Sequence, residues 1–522
     1  MSTRSATLRN TAFSSIGMYT EYLLGMVTSV VIARHLGPDG FGVYGLLIWL
    51  VAMGVATANS GTASSAIKFV AELRGAGQEQ AIPSLLAYLR RAQRLFLAAV
   101  LVVGTVVFLL AGDHLAGDMD RALLLGFLLV ATSLRAAYMF NVGVAKGFED
   151  FRGTAVVSLV STPLNLLMVV LAWQLGAPVE GLLLVFVVSG VVFHAMSHWM
   201  VARHAPARGD AGRPPPPLAP AMRARIRRHM WLTAMIVSVG FLAASEVEVL
   251  FLNLDGDPEG AGRFKVAYQL AVGAAALVPG VFGALLLPMM ANALGQGREV
   301  AGRRFVASTG YLVLLAAPLV AFGVVFGAAA VHALYGDAYR EAAPVFAACL
   351  LGVSITAVTG GGSSLLISAD RQQSVLAVVA GCGALKLALG ALLVFWLGLA
   401  GAAIAYVAVA IASATAMMAL AIRVSGVVPD WGRLLRAVAA AGLAAVIVLP
   451  LRGQLLPLAE VAVGAAALAL VYAPLTLLLG CWSRADIEYL QQLHQRFTAG
   501  RPWLGARLLE WACQRAPLGG GR

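Results

Sequence analysis

The chain has 522 residues, 60% of them hydrophobic and only 12% charged, against roughly 25% charged in a soluble domain. A formal net charge of +12 would suggest nucleic acid in a soluble protein, but a mean hydropathy of +0.84 excludes that class and no nucleic-acid partner is expected. The apolar runs are continuous rather than alternating over short segments, which excludes a closed β-barrel and leaves an all-α polytopic membrane protein.

The first apolar segment, 12–33, carries Glu21 and is not followed by an A-x-A-like site, so it is expected to be a span and not a cleaved signal. A Gly/Pro turn at 34–47 leads into the second segment, 41–66. Further segments follow at 95–112, 121–143, 153–174, 180–202, 230–253, 266–290, 305–330, 342–368, 374–397, 400–422, 436–451 and 458–481. All are of the scale, about 20 residues, that crosses a bilayer core of roughly 30 Å. The expectation is about 14 transmembrane helices. The cysteines Cys349, Cys382, Cys481 and Cys513 have neither metal-ligand nor disulfide-framework spacing and read as free thiols.

Charge placement sets the expected orientation. With the N-terminus inside, 29 of the 37 Lys and Arg residues fall in inner segments and 6, Lys265 and Arg263 among them, in outer ones. Positive residues favour the cytoplasmic side, so both termini are expected there. One missed or extra span would put every later loop on the wrong side, so the bias also supports the helix number.

Two turns repeat at one long offset. Pro38-Asp-Gly-Phe-Gly-Val-Tyr44 matches Pro258-Glu-Gly-Ala-Gly-Arg-Phe264 at 220 residues, and Leu115-x-Gly-Asp-x-x-Arg121 matches Leu334-x-Gly-Asp-x-x-Arg340 at 219. This suggests a duplicated membrane domain. The division is an N-terminal six-helix lobe (1–202), a Pro/Arg-rich cytoplasmic linker (203–229), a C-terminal six-helix lobe (230–422), helices 13–14 (423–482) and a basic cytoplasmic tail (483–522). Each lobe holds an even number of spans, so the two are expected to be related by a pseudo-two-fold axis along the membrane normal. The basic run Arg223–Arg228 reads either as a stop signal anchoring span 7 or as a contact to lipid headgroups. The tail reads either as an interfacial helix, with Trp503, Leu504, Leu508 and Trp511 interleaved among charges, or as a loosely ordered segment.

No catalytic set, Walker A loop or cofactor motif appears, and no cofactor is expected. His194 and His198 are four apart but lack the Glu of H-E-x-x-H, so they read as a metal site or, more simply, as a buried polar contact. Gly360-Gly-Gly362 lies inside an apolar segment and reads as close helix packing or a helix break. The informative residues are charges within spans, which are costly in lipid and face a cavity or a partner. Glu21 lies about 11 residues into its span, roughly 16 Å deep at about 1.5 Å per residue. It shares a face with Ser14, Gly17, Gly25 and Thr28. Lys386 is similarly deep, with Gly383 and Gly390 on its face. Arg135 lies nearer the cytoplasmic end of span 4. Glu246 and Glu248 lie in the outer half of span 7, and the 220 offset puts Glu248, opposite Thr28, on the polar stripe. Asn59 and Asn165 add polar positions. Lys386, Arg135, Asn59 and Asn165 are the candidate substrate-cavity residues, and Glu21 and Glu248 the candidates for ion coupling. For each the alternative is a structural ion pair within the bundle. Lys386 as a point charge and Arg135 as a fork would suit a pyrophosphate.

The motifs Leu36-Gly-Pro-x-x-Phe-Gly-x-Tyr44, Lys68-Phe-Val-Ala-Glu72 and Leu334-Tyr-Gly-Asp-x-Tyr-x-x-Ala-Ala-Pro344, with fourteen spans and the repeat, resemble the bacterial oligosaccharide flippases of the multidrug/oligosaccharidyl-lipid/polysaccharide (MOP) exporter superfamily. The resemblance covers nearly the whole chain. It implies a bacterial inner-membrane protein with two six-helix lobes around a central cavity. The substrate would be an undecaprenyl-pyrophosphate-linked oligosaccharide, turned from the inner to the outer leaflet by alternating access. Membrane lipids, a polysaccharide polymerase and glycosyltransferases would be its partners. Rival readings are a lipid II-type flippase, which also has fourteen spans, a drug or metabolite antiporter, which would normally stop at twelve, and a non-transporting scaffold, against which the midplane charges argue.

Overall fold

The computed structural model describes residues 3–116, 119–204, 216–244, 246–277, 286, 289–290, 292–484, 486–488, 491, 511 and 513. Among them the chain is helical throughout, with α1 (Thr3–Gly75), α2 (Ile82–Ala116), α3 (Arg121–Gly147), α4 (Phe151–Gln174), α5 (Val179–Ala202), α6 (Pro220–Ala244), α7 (Glu248–Leu254) and α8 (Pro258–Leu277). These are followed by α9 (Arg298–Tyr335), α10 (Ala342–Val358), α11 (Gly360–Ser368), α12 (Gln372–Ser425), α13 (Trp431–Val448) and α14 (Pro457–Leu478). Ten helical stretches among the described residues are long and apolar enough to cross a membrane, and the chain is a multi-pass membrane protein. Two of the ten, Tyr19–Asn59 and Gln372–Ser425, contain a single-residue break.

The breaks are glycines for a backbone reason. Gly37 (φ 69°, ψ 178°) and Gly398 (φ 56°, ψ −132°) adopt positive φ, which a residue with a Cβ rarely tolerates. The turn expected over 34–47 is therefore one residue of reversal, after which Pro38 starts the next helical stretch at the position where a missing N–H costs nothing. Four other helices start at an aspartate. Asp120 accepts from the Ala122 and Leu123 amides at 2.7 and 3.1 Å, Asp150 from Gly153 at 2.8 Å, Asp257 from Gly260 at 2.8 Å and Asp430 from Arg433 at 3.0 Å. Each such cap contributes about 1 kcal/mol.

The contacts group the chain into two compact units, residues Met1–Lys265 with Leu387–Leu399, and Val266–Lys386 with Ala400–Arg522. In the first, α1 packs against α2, α3, α4 and α6. Its core holds Phe69, Leu85, Leu89, Tyr138, Phe193 and Ile226. Gly143 and Gly147 let α3 approach α1 closely: Cβ atoms there would stand 2.9 Å from the Ala63 carbonyl and 2.7 Å from that of Ala66. In the second, α9 packs against α10, α13 and α14 around Phe326, Ala440, Ala444, Leu468 and Tyr472. Burial follows the logic of a bilayer rather than of water. Leu110, Leu175, Trp396 and Leu456 are exposed, while Asn59, Ser65, Ser197, Lys265 and Lys386 are buried.

Two sequence expectations differ from the structure, and a third is met in both of its forms. The continuous span expected over 230–253 is interrupted: α6 ends at Ala244 and α7 begins at Glu248, because Glu246 leaves the helix register to meet Lys265. Lys265 and Arg263, assigned to an outer loop, lie on α8, which Asp257 and Pro258 start earlier than the hydropathy does. The glycine run at 360–362 combines both readings offered for it. It begins the separate short helix α11, and Cβ atoms on Gly361 and Gly362 would stand 2.6 Å from Ser308 Oγ and 3.2 Å from Ala421 Cβ. The basic tail beyond 491 lies, except for residues 511 and 513, outside the described residues.

Candidate functional site

The first unit brings two of the candidate charges, Glu21 and Arg135, together beside α3. Glu21, on an exposed face of α1, accepts hydrogen bonds from Ser158 Oγ at 2.8 Å and Tyr138 Oη at 3.2 Å. Arg135 lies one helical turn before Tyr138, within electrostatic range of Glu21, Tyr44 and Tyr138. Its guanidinium carbon stands 4.5 Å from the Phe186 ring centre and 4.8 Å from that of Phe193. Its Nε is buried and has no hydrogen-bond partner among the described residues. Phe193 in turn meets Tyr138 edge-on at 5.1 Å. A planar cation between two rings is a geometry arginine holds and lysine does not.

The other polar positions expected in this unit are more scattered. Asn59 is buried and accepts from Thr62 Oγ1 at 3.2 Å through its side chain. Asn165 is half-buried on α4. Thr28 turns back to the Leu24 carbonyl at 2.7 Å, and the side chain of Ser14 lies outside the described residues. His194 and His198 stand with ring centres 6.2 Å apart, and no group of three metal-ligating side chains occurs among the described residues.

The second acidic candidate lies at the start of α7. Glu248 is fully buried in the first turn of α7, and an ion pair forms two residues before it. Glu246 Oε1 accepts from Lys265 Nζ at 2.8 Å, with the two side chains 16% and 5% exposed. Lys265 reaches this position across Gly45 of α1.

In the second unit Lys386 is 1% exposed. Its Nζ lies 5.1 Å from the Tyr406 ring centre. Tyr406 meets Tyr268 edge-on at 5.6 Å and seats against Gly352, where a Cβ would stand 2.5 Å from the ring. The unit also contains an apolar cavity of about 490 Å³ between α9, α10, α12 and α13, lined by Val313, Leu351, Ile355, Met418, Trp431 and Val438 among others.

The residues that complete these clusters are mostly aromatic: Tyr138, Phe186, Phe193 and Tyr406. On an apolar segment an aromatic side chain looks the same whether it faces lipid or a cation. Tyr138, three residues after Arg135, was the one accessible signal, because that spacing puts both on one helix face.

Residues 7–294 match the polysaccharide biosynthesis protein family. No curated protein sequence matches the chain significantly. Among solved structures, the fold is similar to "Lipid II flippase MurJ, inward closed conformation", with a TM-score of 0.68 and 10% identity over 89% of this chain and 98% of that one. It is similar also to a multidrug resistance MATE family transporter of the MOP superfamily. The inward-facing form gives a TM-score of 0.61 and 15% identity over 83% of this chain and 99% of that one. The outward-facing form gives 0.54 and 16% over 81% and 96%. With more than half its length matched, the chain belongs to the polysaccharide biosynthesis protein family, on the fold shared by transporters of the MOP superfamily.

Proposed function

We propose that this protein flips an undecaprenyl-pyrophosphate-linked oligosaccharide from the inner to the outer leaflet of the bacterial cytoplasmic membrane by alternating access. The observation that carries the reading is the match of residues 7–294 to the polysaccharide biosynthesis family. The likeness in fold to MurJ, a lipid II flippase, supports it. The proposed arrangement is fourteen spans, as two six-helix lobes plus helices 13–14, with both termini cytoplasmic, as the charge bias favours. Arg135 and Lys386, with Asn59 and Asn165, are the proposed substrate-cavity residues. A cation stacked on aromatic rings, as Arg135 is on Phe186 and Phe193, keeps its charge and its edge donors for a transient anionic ligand. The apolar cavity of the second unit suits the hydrocarbon part of such a substrate. Lys386 is covered in this conformation and would meet substrate only when the cycle uncovers it.

Glu21 is the proposed coupling carboxylate, with Glu248 second. Glu21 is exposed on its helix face and accepts from two hydroxyl donors, an accessible position for a coupling carboxylate. Lipid II-type flipping is the second reading, favoured by the MurJ likeness. Cells lacking the protein separate the two. Accumulation of oligosaccharide on its pyrophosphate carrier, with lipid II turnover unchanged, supports the first reading; accumulation of lipid II supports the second. In the same cells Lys386→Ala should fail to restore export while inserting normally, and Lys386→Arg should restore part of it. Full export by the Ala variant would remove Lys386 from the site.

A further inference from the structure

The 220-residue echo is also a physical contact. A Cβ on Gly42 would overlap the Pro258 carbonyl oxygen and stand 2.9 Å from the Gly262 amide nitrogen. A Cβ on Gly262 would overlap the Pro38 carbonyl oxygen and stand 3.0 Å from the Gly42 nitrogen. Adding 220 carries Pro38 onto Pro258 and Gly42 onto Gly262, so each copy's glycine receives the other copy's proline carbonyl. Reciprocal pairing of this kind is what a local two-fold axis imposes. Three residues on, the copies diverge. Gly45 and Lys265 are again related by 220, and a Cβ on Gly45 would overlap Lys265 Cδ and stand 3.5 Å from Nζ. The glycine of one copy houses the lysine of the other. Lys265 is thereby buried beside the contact and paired with Glu246 at 2.8 Å.

We propose that these two turns form the outer gate of the transport cycle, with the Lys265–Glu246 pair as its lock; the inference rests on the flippase reading and orientation above. Two backbones that meet at facing glycines leave no side chain to swing aside. The contact therefore parts as a rigid unit, by movement of the helices that begin at Pro38 and Pro258. Parting it uncovers Gly45, and with it the lysine and glutamate, to water. Closing it desolvates both charges, which is tolerated only when they meet in register. Breaking one partner leaves an uncompensated buried charge and favours the open gate. Replacing both with apolar groups of similar shape lets it close again.

Ala261, which is fully buried between the two glycines of the second copy, reports the gate. In a background with the four native cysteines replaced by alanine, Ala261→Cys should react slowly with a membrane-impermeant maleimide applied outside intact cells. Adding Gly42→Ala, or separately Glu246→Gln, should raise the labelling rate at least about tenfold, the equivalent of about 1.4 kcal/mol. Combining Glu246→Met with Lys265→Met should return the rate toward the parent. Unchanged labelling in both single variants, present in the membrane at parental amounts, overturns the gate. A rise seen only in inverted vesicles overturns its placement on the outer side, and leaflet-resolved flipping in proteoliposomes then decides the flippase reading separately.

Discussion

Replacing Phe193 with leucine keeps an apolar side chain in place but strips one face from Arg135. The guanidinium lies 4.8 Å from that ring and 4.5 Å from Phe186. A cation over an aromatic face contributes about 0.5–1 kcal/mol when exposed and about 2 kcal/mol when desolvated. Arg135 is half-buried inside a helical bundle, so about 1–2 kcal/mol per ring is expected. Phe193 also packs on Tyr138 at 5.1 Å, an edge contact that contributes about 1 kcal/mol. Phe193→Leu should therefore cost about 2–3 kcal/mol, and Arg135→Gln, which loses both rings, about 2–4 kcal/mol. The double variant should cost about 1–2 kcal/mol less than the sum, because their shared contact is lost only once. The assay is reversible unfolding of the purified protein in mixed micelles by titration with SDS, repeated for the four members of the cycle. Tyr138→Phe, which removes only the hydroxyl bonded to Glu21, serves as a control and should leave the coupling unchanged. A coupling under about 0.3 kcal/mol, the scatter expected of independent sites, would refute the stacking argument.

Beyond the last helix, burial alone would push the Asp486 carboxyl up. Hydrogen bonds from Ser483 and Tyr311 and the Arg433 guanidinium outweigh it and hold the carboxyl below the usual carboxylate range. A group depressed in this way stabilises the fold above its unfolded value, about 4, and loses that contribution as pH falls through the lower folded value. The fluorescence of Trp482, whose Nε1 donates to Thr476 at 2.9 Å, should hold down to about pH 4 and change below it. Asp486→Asn should bring that change to neutral pH, and an unaltered spectrum in the variant would remove Asp486 from the anchoring of this segment. Glu21→Gln should bind substrate as the parent does but lose the response of flipping to an imposed pH gradient; a parental response would move the coupling site to Glu248. A reporter placed at 216–219 should read cytoplasmic, and a periplasmic reading would overturn the proposed orientation.

Much of the helical architecture was legible because hydropathy acts over windows as long as a span, and a bilayer permits few alternatives. The breaks at Gly37 and Gly398 lie between predicted spans, where apolar runs meet at a glycine. The interruption between α6 and α7 was not legible, because Glu246 and Glu248 look like polar positions on a continuing helix. The departure of Glu246 is set by Lys265, some twenty residues away, and hydropathy alone put Lys265 in a loop. The repeat was visible in the glycines and prolines of the two turns, but its reciprocal contact was not, since an offset says nothing about which copy touches which. The candidate charges Glu21 and Arg135 were found because a charge in a span is conspicuous. Apart from Tyr138, which shares a helix face with Arg135, their partners were missed because Phe193, Phe186 and Ser158 are unremarkable on an apolar helix until packing assigns their faces.

Flipping by the purified protein in liposomes is the decisive measurement. Pyrophosphate-linked oligosaccharide is placed in one leaflet and its arrival in the other is read by a glycan-modifying enzyme that cannot cross the bilayer. Transfer should require the protein, be strongly reduced by Lys386→Ala and Arg135→Gln, and not be competed by lipid II. Absence of transfer by a folded, correctly inserted protein, or transfer undiminished in both variants, would contradict the proposed function.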